Sequence, residues 1–188
     1  MSRDPVTVAS SRALDGESAG LLVPLLVGAA VAVALGVYGG LHTPTGIGVN
    51  LAGFSGPLQV KVWLTTVALV LALVQVVSAL VMYRSHYPPQ WIGGVHRWSG
   101  RIAFLAVIPV AVHCLYALGF QTLTPRAFTH SLLGCLFFGA FVVKMLGLRR
   151  PGLPGWVLPA IGAVVFAALV GLWWTSSLWF FTTFGFEF

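Results

Sequence analysis

The chain has 188 residues, of which 58% are hydrophobic and only 7% charged, against about 25% charged in an ordinary soluble domain. So few charges cannot clothe a water-soluble globule, and lipid is the solvent that tolerates this composition. The net charge of +6 is not a nucleic-acid footprint, because the ten Lys and Arg residues flank apolar spans and form no basic stripe interleaved with aromatics.

The predicted fold is all-α: a polytopic membrane helix bundle of about five transmembrane helices, each needing about 20 apolar residues. Residues 1–19 are polar and read as a disordered cytoplasmic tail. A single helical domain then covers residues 20–182, with spans predicted at 21–40, 62–82, 97–120, 125–147 and 156–175, and an external tail at 183–188. The spans are rich in Val, Leu and Ala without a period of two, which excludes a lipid-exposed barrel. Between the first two lies a long Gly- and Pro-bearing loop from His42 to about Gln59. Tyr87-Pro88-Pro89 ends the second helix, Thr124-Pro125 reads as an N-cap followed by the first helical residue, and Pro151-Gly152-Leu153-Pro154-Gly155 is a helix stop and tight link. The aromatic run from Trp173 to Phe181 fits an interfacial anchor.

Basic residues give the bundle a direction. Arg3, Arg12, Arg84, Arg97, Arg101, Lys144, Arg149 and Arg150 fall on one side, against only Lys61 and Arg126 on the other. By the positive-inside rule the N-terminus is expected to be cytoplasmic and the C-terminus outside, in a multi-pass protein of the cell membrane.

The residues able to carry chemistry are few. The acids Asp4, Asp15, Glu17 and Glu187 all lie in the tails. No carboxylate is predicted inside the membrane, which argues against a carboxylate-driven transporter and against paired-acid hydrolysis. Cys114 and Cys135 fall inside spans without a C-x-x-C pair, and read as small apolar residues. His86 reads as solvated and His42 as interfacial. His96, His113 and His130 lie in helices, where a polar residue is a functional candidate by default.

His113 is expected near the outer end of the third helix and His130 near the outer start of the fourth. At ~1.5 Å per residue each lies roughly 8–9 Å below its helix end. Two imidazoles at one level, from two helices, are what a bis-histidine haem iron requires. Gly134 follows His130 by one turn and Gly100 follows His96, on the same helix faces; each would let a flat macrocycle approach the backbone. Pro109 is placed to kink the third helix and open space. The plain alternative is that each histidine hydrogen-bonds a neighbouring hydroxyl. Directly packed helices sit only about 8–10 Å apart, so the third and fourth must splay or pack diagonally to hold a haem. His96 lies about 25 Å along the axis from His113. It would serve an inner haem, or bind a haem propionate or a quinone together with Arg97 and Arg101.

The segment His96-Arg97-Trp98-Ser99-Gly100-Arg101 resembles the His-x-x-x-Gly start of a core helix in the cytochrome b561 family. Ala127-Phe128-Thr129-His130-Ser131-Leu132-Leu133-Gly134 is similar to that family's next core helix, and ferric reductase membrane domains look similar too. The resemblance covers about residues 95–144. It implies haem b, with His96 and His130 as metal ligands of two different haems, one near each membrane face. This sequence departs from the pattern by lacking a histidine at the starts of the two preceding helices and by adding His113.

The function expected is therefore that of a b-type cytochrome passing electrons within or across the membrane, as an oxidoreductase or electron-transfer subunit. No flavin or nicotinamide fingerprint is present, so its partners beyond the lipid bilayer would be redox subunits or quinone. The alternatives are a quinone-reactive membrane anchor of a dehydrogenase and a non-redox membrane protein with structural histidines.

Overall fold

A computed structural model describes the backbone of residues 5–48 and 50–188, and side chains from Gly20 onward with the exception of residue 49. Five helices are long and apolar enough to cross a membrane: Gly20–Leu41, Pro57–Arg84, Ile92–Leu118, Pro125–Gly147 and Val157–Phe184. We call them α1 to α5 in chain order. The backbone of α1 continues back to Pro5, through most of the segment for which the sequence predicts a disordered tail. Residues 1–4 and the side chains of residues 5–19 lie outside the described residues.

Local chemistry sets the helix limits. Thr124 caps α4 as expected: its hydroxyl accepts from the Ala127 N–H at 3.2 Å, with Pro125 in the first turn. Proline at the start of α2 brings that helix forward to Pro57, so Lys61, expected just before the span, stands inside it. α5 is longer than its hydropathy implied, because Thr175, Ser176 and Ser177 did not end it. Thr175 and Ser176 each donate back to a carbonyl one turn earlier, at 2.7 and 2.9 Å, so neither hydroxyl is stranded in apolar surroundings. Gly185, at φ 84°, terminates the helix.

The helices form a ring in the order α1, α4, α5, α2, α3, with the His113–Leu118 end of α3 returning to α1. α1 meets α4 through small residues. A Cβ on Gly28 would lie 2.6 Å from the Gly139 carbonyl oxygen, and one on Gly139 would lie 2.7 Å from the Gly28 oxygen. Gly28 and Gly36 are two turns apart on one face of α1, and Gly36 looks onto Cys135 of α4. Without water to drive helices together, such close backbone approach supplies the dispersion energy. On the other side, Ser177 of α5, fully buried, donates to the Val62 carbonyl of α2 at 3.0 Å, and the Trp173 indole donates to Thr66 at 3.0 Å. Ala68, Ala72, Val107, Phe137, Ala168, Leu169 and Leu172 form the core at mid-height. Apolar side chains on the outer surface, such as Leu26, Val33 and Leu105, are more than half exposed and face the lipid.

The last residues, expected to form an external tail, dock back on the bundle. Ser55 N–H and hydroxyl both reach the Phe188 carbonyl, at 3.0 and 2.6 Å. Trp63 donates to the Glu187 carbonyl at 2.9 Å and stacks on Phe188 with ring centroids 4.5 Å apart. The end of the bundle where this occurs also carries the α1–α2 loop and the starts of α2 and α4; we call it the loop end. The opposite, basic end carries Arg84, Arg97, Lys144, Arg149 and Arg150.

Candidate functional site, an intramembrane cavity with a histidine at its wall

α3 and α4 do not lie side by side. Near mid-height they meet through aromatic rings, Phe104 stacking on Phe141 with centroids 4.1 Å apart. Toward the loop end they separate around a cavity of about 290 Å³, at the lower edge of the roughly 300–1,000 Å³ usual for organic ligands. α2, α3, α4 and α5 wall it, and α1 contributes Leu35. The diagonal arrangement that a ligand between α3 and α4 demands is thus the one the ring adopts.

One face of α4 gives the cavity its chemical order. Arg126, His130, Gly134 and Phe138, each one turn apart, all line it. Arg126 stands at the loop end, and its guanidinium donates to the Thr175 carbonyl at 2.6 Å and lies 3.8 Å over the Trp179 ring. Lys61 of α2 lines the same end. A Cβ on Gly134 would meet nothing within 4 Å, so the backbone there is open to whatever fills the space.

His130 is oriented through α5. Its Nδ1 lies 2.9 Å from Thr175 Oγ1, and that hydroxyl gives its single proton to the Gly171 carbonyl at 2.7 Å. The hydroxyl oxygen is left to accept, so Nδ1 carries the ring proton and Nε2 keeps its lone pair. The group facing Nε2 is Cys114 Sγ, 4.0 Å away. A histidine whose Nδ1–H is tied down, with its Nε2 lone pair facing a cavity, can serve as a metal ligand.

Both walls that address His130 are π-helical. His113–Leu118 in α3 and Trp174–Leu178 in α5 are π segments, a rare local geometry found frequently at functional sites. The first follows Pro109, whose missing N–H weakens the preceding turn. It turns Cys114 toward the cavity. It turns His113 away, beneath the α1–α2 loop, where the ring packs so closely on Gly48 that a Cβ there has no room. His113 is 8% exposed, its Nδ1 has no hydrogen-bond partner among the described residues, and it is not among the residues lining the cavity. The structure therefore does not bring His113 and His130 to one point, as their matching depth had suggested; rotation about the helix axis separates them.

His96 sits at the basic end, between α3 and α2. Its Nδ1 lies 2.9 Å from Ser78 Oγ, which donates to the Val74 carbonyl at 2.7 Å. This repeats the logic at His130: a hydroxyl on the neighbouring helix fixes Nδ1 as the protonated nitrogen. Gln75 binds the His96 carbonyl and donates to Ser99 at 2.8 Å. Gly100 makes room for this amide, since a Cβ would lie 3.0 Å from it; it does not open onto a macrocycle-sized space, as the sequence had suggested. Arg97 and Arg101 are exposed, and Arg101 lies 5.1 Å over the Trp98 ring. His42 stacks between Tyr38 and Tyr116 and donates to the Tyr116 carbonyl at 3.1 Å, a structural tie. No group of three or more metal-ligating side chains occurs among the described residues.

Sequence reasoning missed Lys61, Thr175 and Cys114 as site residues. Thr175 had one available signal. A hydroxyl in an apolar helix is a natural partner for a histidine on a neighbouring helix.

Five apolar helices long enough to cross a bilayer define a multi-pass membrane protein. The chain belongs to the family described as a family of unknown function, DUF6529, which it matches over residues 21–188. No curated protein and no solved structure matches it.

Proposed function

We propose that the protein is a b-type cytochrome that holds haem in the cavity between α3 and α4 and passes electrons within or across the membrane. The observation that carries this is His130, with its Nδ1–H held by Thr175 and its Nε2 lone pair aimed into the cavity. The open backbone at Gly134 and the cations at the loop end fit a flat apolar ring bearing acidic groups. Bound haem would supply one-electron chemistry, which the side chains here cannot provide themselves. The chain's own part is to orient the imidazole through Thr175, to keep water out with apolar walls, and to place cations at one edge. Donor and acceptor would be redox subunits or quinone.

A quinone-reactive anchor is the second reading. It rests on the same cavity, whose small volume and cationic end also suit a quinone ring.

A pyridine haemochrome spectrum of protein purified from a haem-sufficient host separates these readings. About one haem b per chain is expected. Absence of a Soret band would overturn the cytochrome reading, and co-purified quinone in haem-free protein would favour the anchor.

Thr175 offers a finer test. Thr175→Val keeps the volume but frees Nδ1, and loss of such a partner weakens metal binding by about 10–100-fold. Faster haem transfer to apomyoglobin is expected in Thr175→Val, with recovery in Thr175→Ser. Equal transfer rates in all three proteins would remove Thr175 from the site.

A further inference from the structure

Lys61 is 7% exposed, yet it carries a charge in the wall of an apolar cavity. Among the residues whose side chains are described the one acidic side chain is Glu187, exposed in the C-terminal tail, and it forms no ion pair with Lys61. No hydrogen-bond acceptor among the described residues meets the ammonium. A cation inside a membrane span is costly, and membrane proteins keep such groups where they have a use. Arg126 shares the same end of the cavity, fixed by Thr175 and Trp179 with donors to spare.

We propose that Lys61 and Arg126 form a carboxylate clamp at the loop end of the cavity. It holds the acidic edge of a flat, otherwise apolar ligand whose body lies against Gly134 and Phe138. Polarity along the cavity then matches polarity along the ligand: cations at the mouth, imidazole one turn deeper, open backbone next, and a phenyl ring beyond. This rests on the cytochrome reading, in which the carboxylates are the haem propionates. The clamp itself requires only the carboxylate chemistry.

The test uses the full-length protein, prepared haem-free in nanodiscs and titrated with haem and with haem dimethyl ester, in which both carboxylates are masked. Wild type is expected to bind haem at least about tenfold more tightly than the ester, the scale of one charged hydrogen bond. Lys61→Met should lose most of that preference, Lys61→Arg should keep it, and Arg126→Gln should reduce it. Wild type binding both forms equally, or Lys61→Met keeping the full preference, would overturn the clamp. The wild-type comparison does not depend on any variant folding. If wild type binds neither form, the cytochrome reading fails, and the clamp is tested with a fluorescent long-chain fatty acid against its alcohol. Preference for the acid, lost in Lys61→Met, supports it; equal binding overturns it.

Discussion

Replacing His130 with alanine is expected to leave the protein without stably bound haem, while His113→Ala is expected to retain it. The two histidines were indistinguishable by depth, but their surroundings differ in kind. His130 presents Nε2 to the cavity, opposite Cys114 Sγ, and has its other nitrogen anchored. His113 is packed against the α1–α2 loop, with no place in the cavity wall. Removing the imidazole at residue 130 removes the ligand and leaves Thr175 Oγ1 without its donor. The expected loss of haem is at least tenfold by haemochrome quantification per chain. His113→Ala should lower thermal stability through lost packing, with haem content near wild type. The reverse pattern would restore the depth argument and move the iron site to the other side of α3. Full retention in both variants would place haem elsewhere in the bundle.

Gly28→Leu and Gly139→Leu are expected to be the most damaging changes outside the cavity. At each position the new side chain would meet backbone of the opposite helix, 2.6 or 2.7 Å from a carbonyl oxygen, and backbone cannot rotate aside. Overpacking commonly costs about 1–3 kcal/mol. Here the helices must separate along their whole contact, so about 3 kcal/mol or more is expected. A fall in melting temperature, or loss of the monodisperse peak on size exclusion, would report it. Gly134→Leu provides the contrast. That glycine faces open space, so the fold should survive while the cavity is filled and haem is excluded.

The crossings were readable because hydropathy over some 20 residues is a strong signal and few of these residues are charged. The start of α4 was readable to the residue because Thr124 and Pro125 each carry a local reason for their place. The C-terminal half of α5 was not, because Thr175 and Ser176 read as polar while their protons are absorbed by carbonyls one turn back. Lys61 read as an interfacial charge for a related reason: hydropathy placed the span after it, whereas Pro57 starts the helix before it. The pairing of His113 with His130 was drawn from axial distance alone. Which way a side chain points depends also on phase around the axis, and the π segment at His113–Leu118 changes that phase. The α1–α4 seam escaped notice because Gly28, Gly36 and Gly139 look unremarkable until the two helices are known to touch.

The order of helices around the ring has a consequence for synthesis. α2 packs along α3 and α4 along α5, so those pairs can settle as soon as each hairpin is made. α1 has its main partner in α4, and must wait in the bilayer while all of α2 and α3 are inserted. Only then can Gly28 find Gly139. The cavity, walled mainly by α2 through α5, has no complete lining until α5 is in place. A cofactor would thus meet a site that is assembled late, when the helix farthest along the chain closes a chamber that the earlier helices only outline.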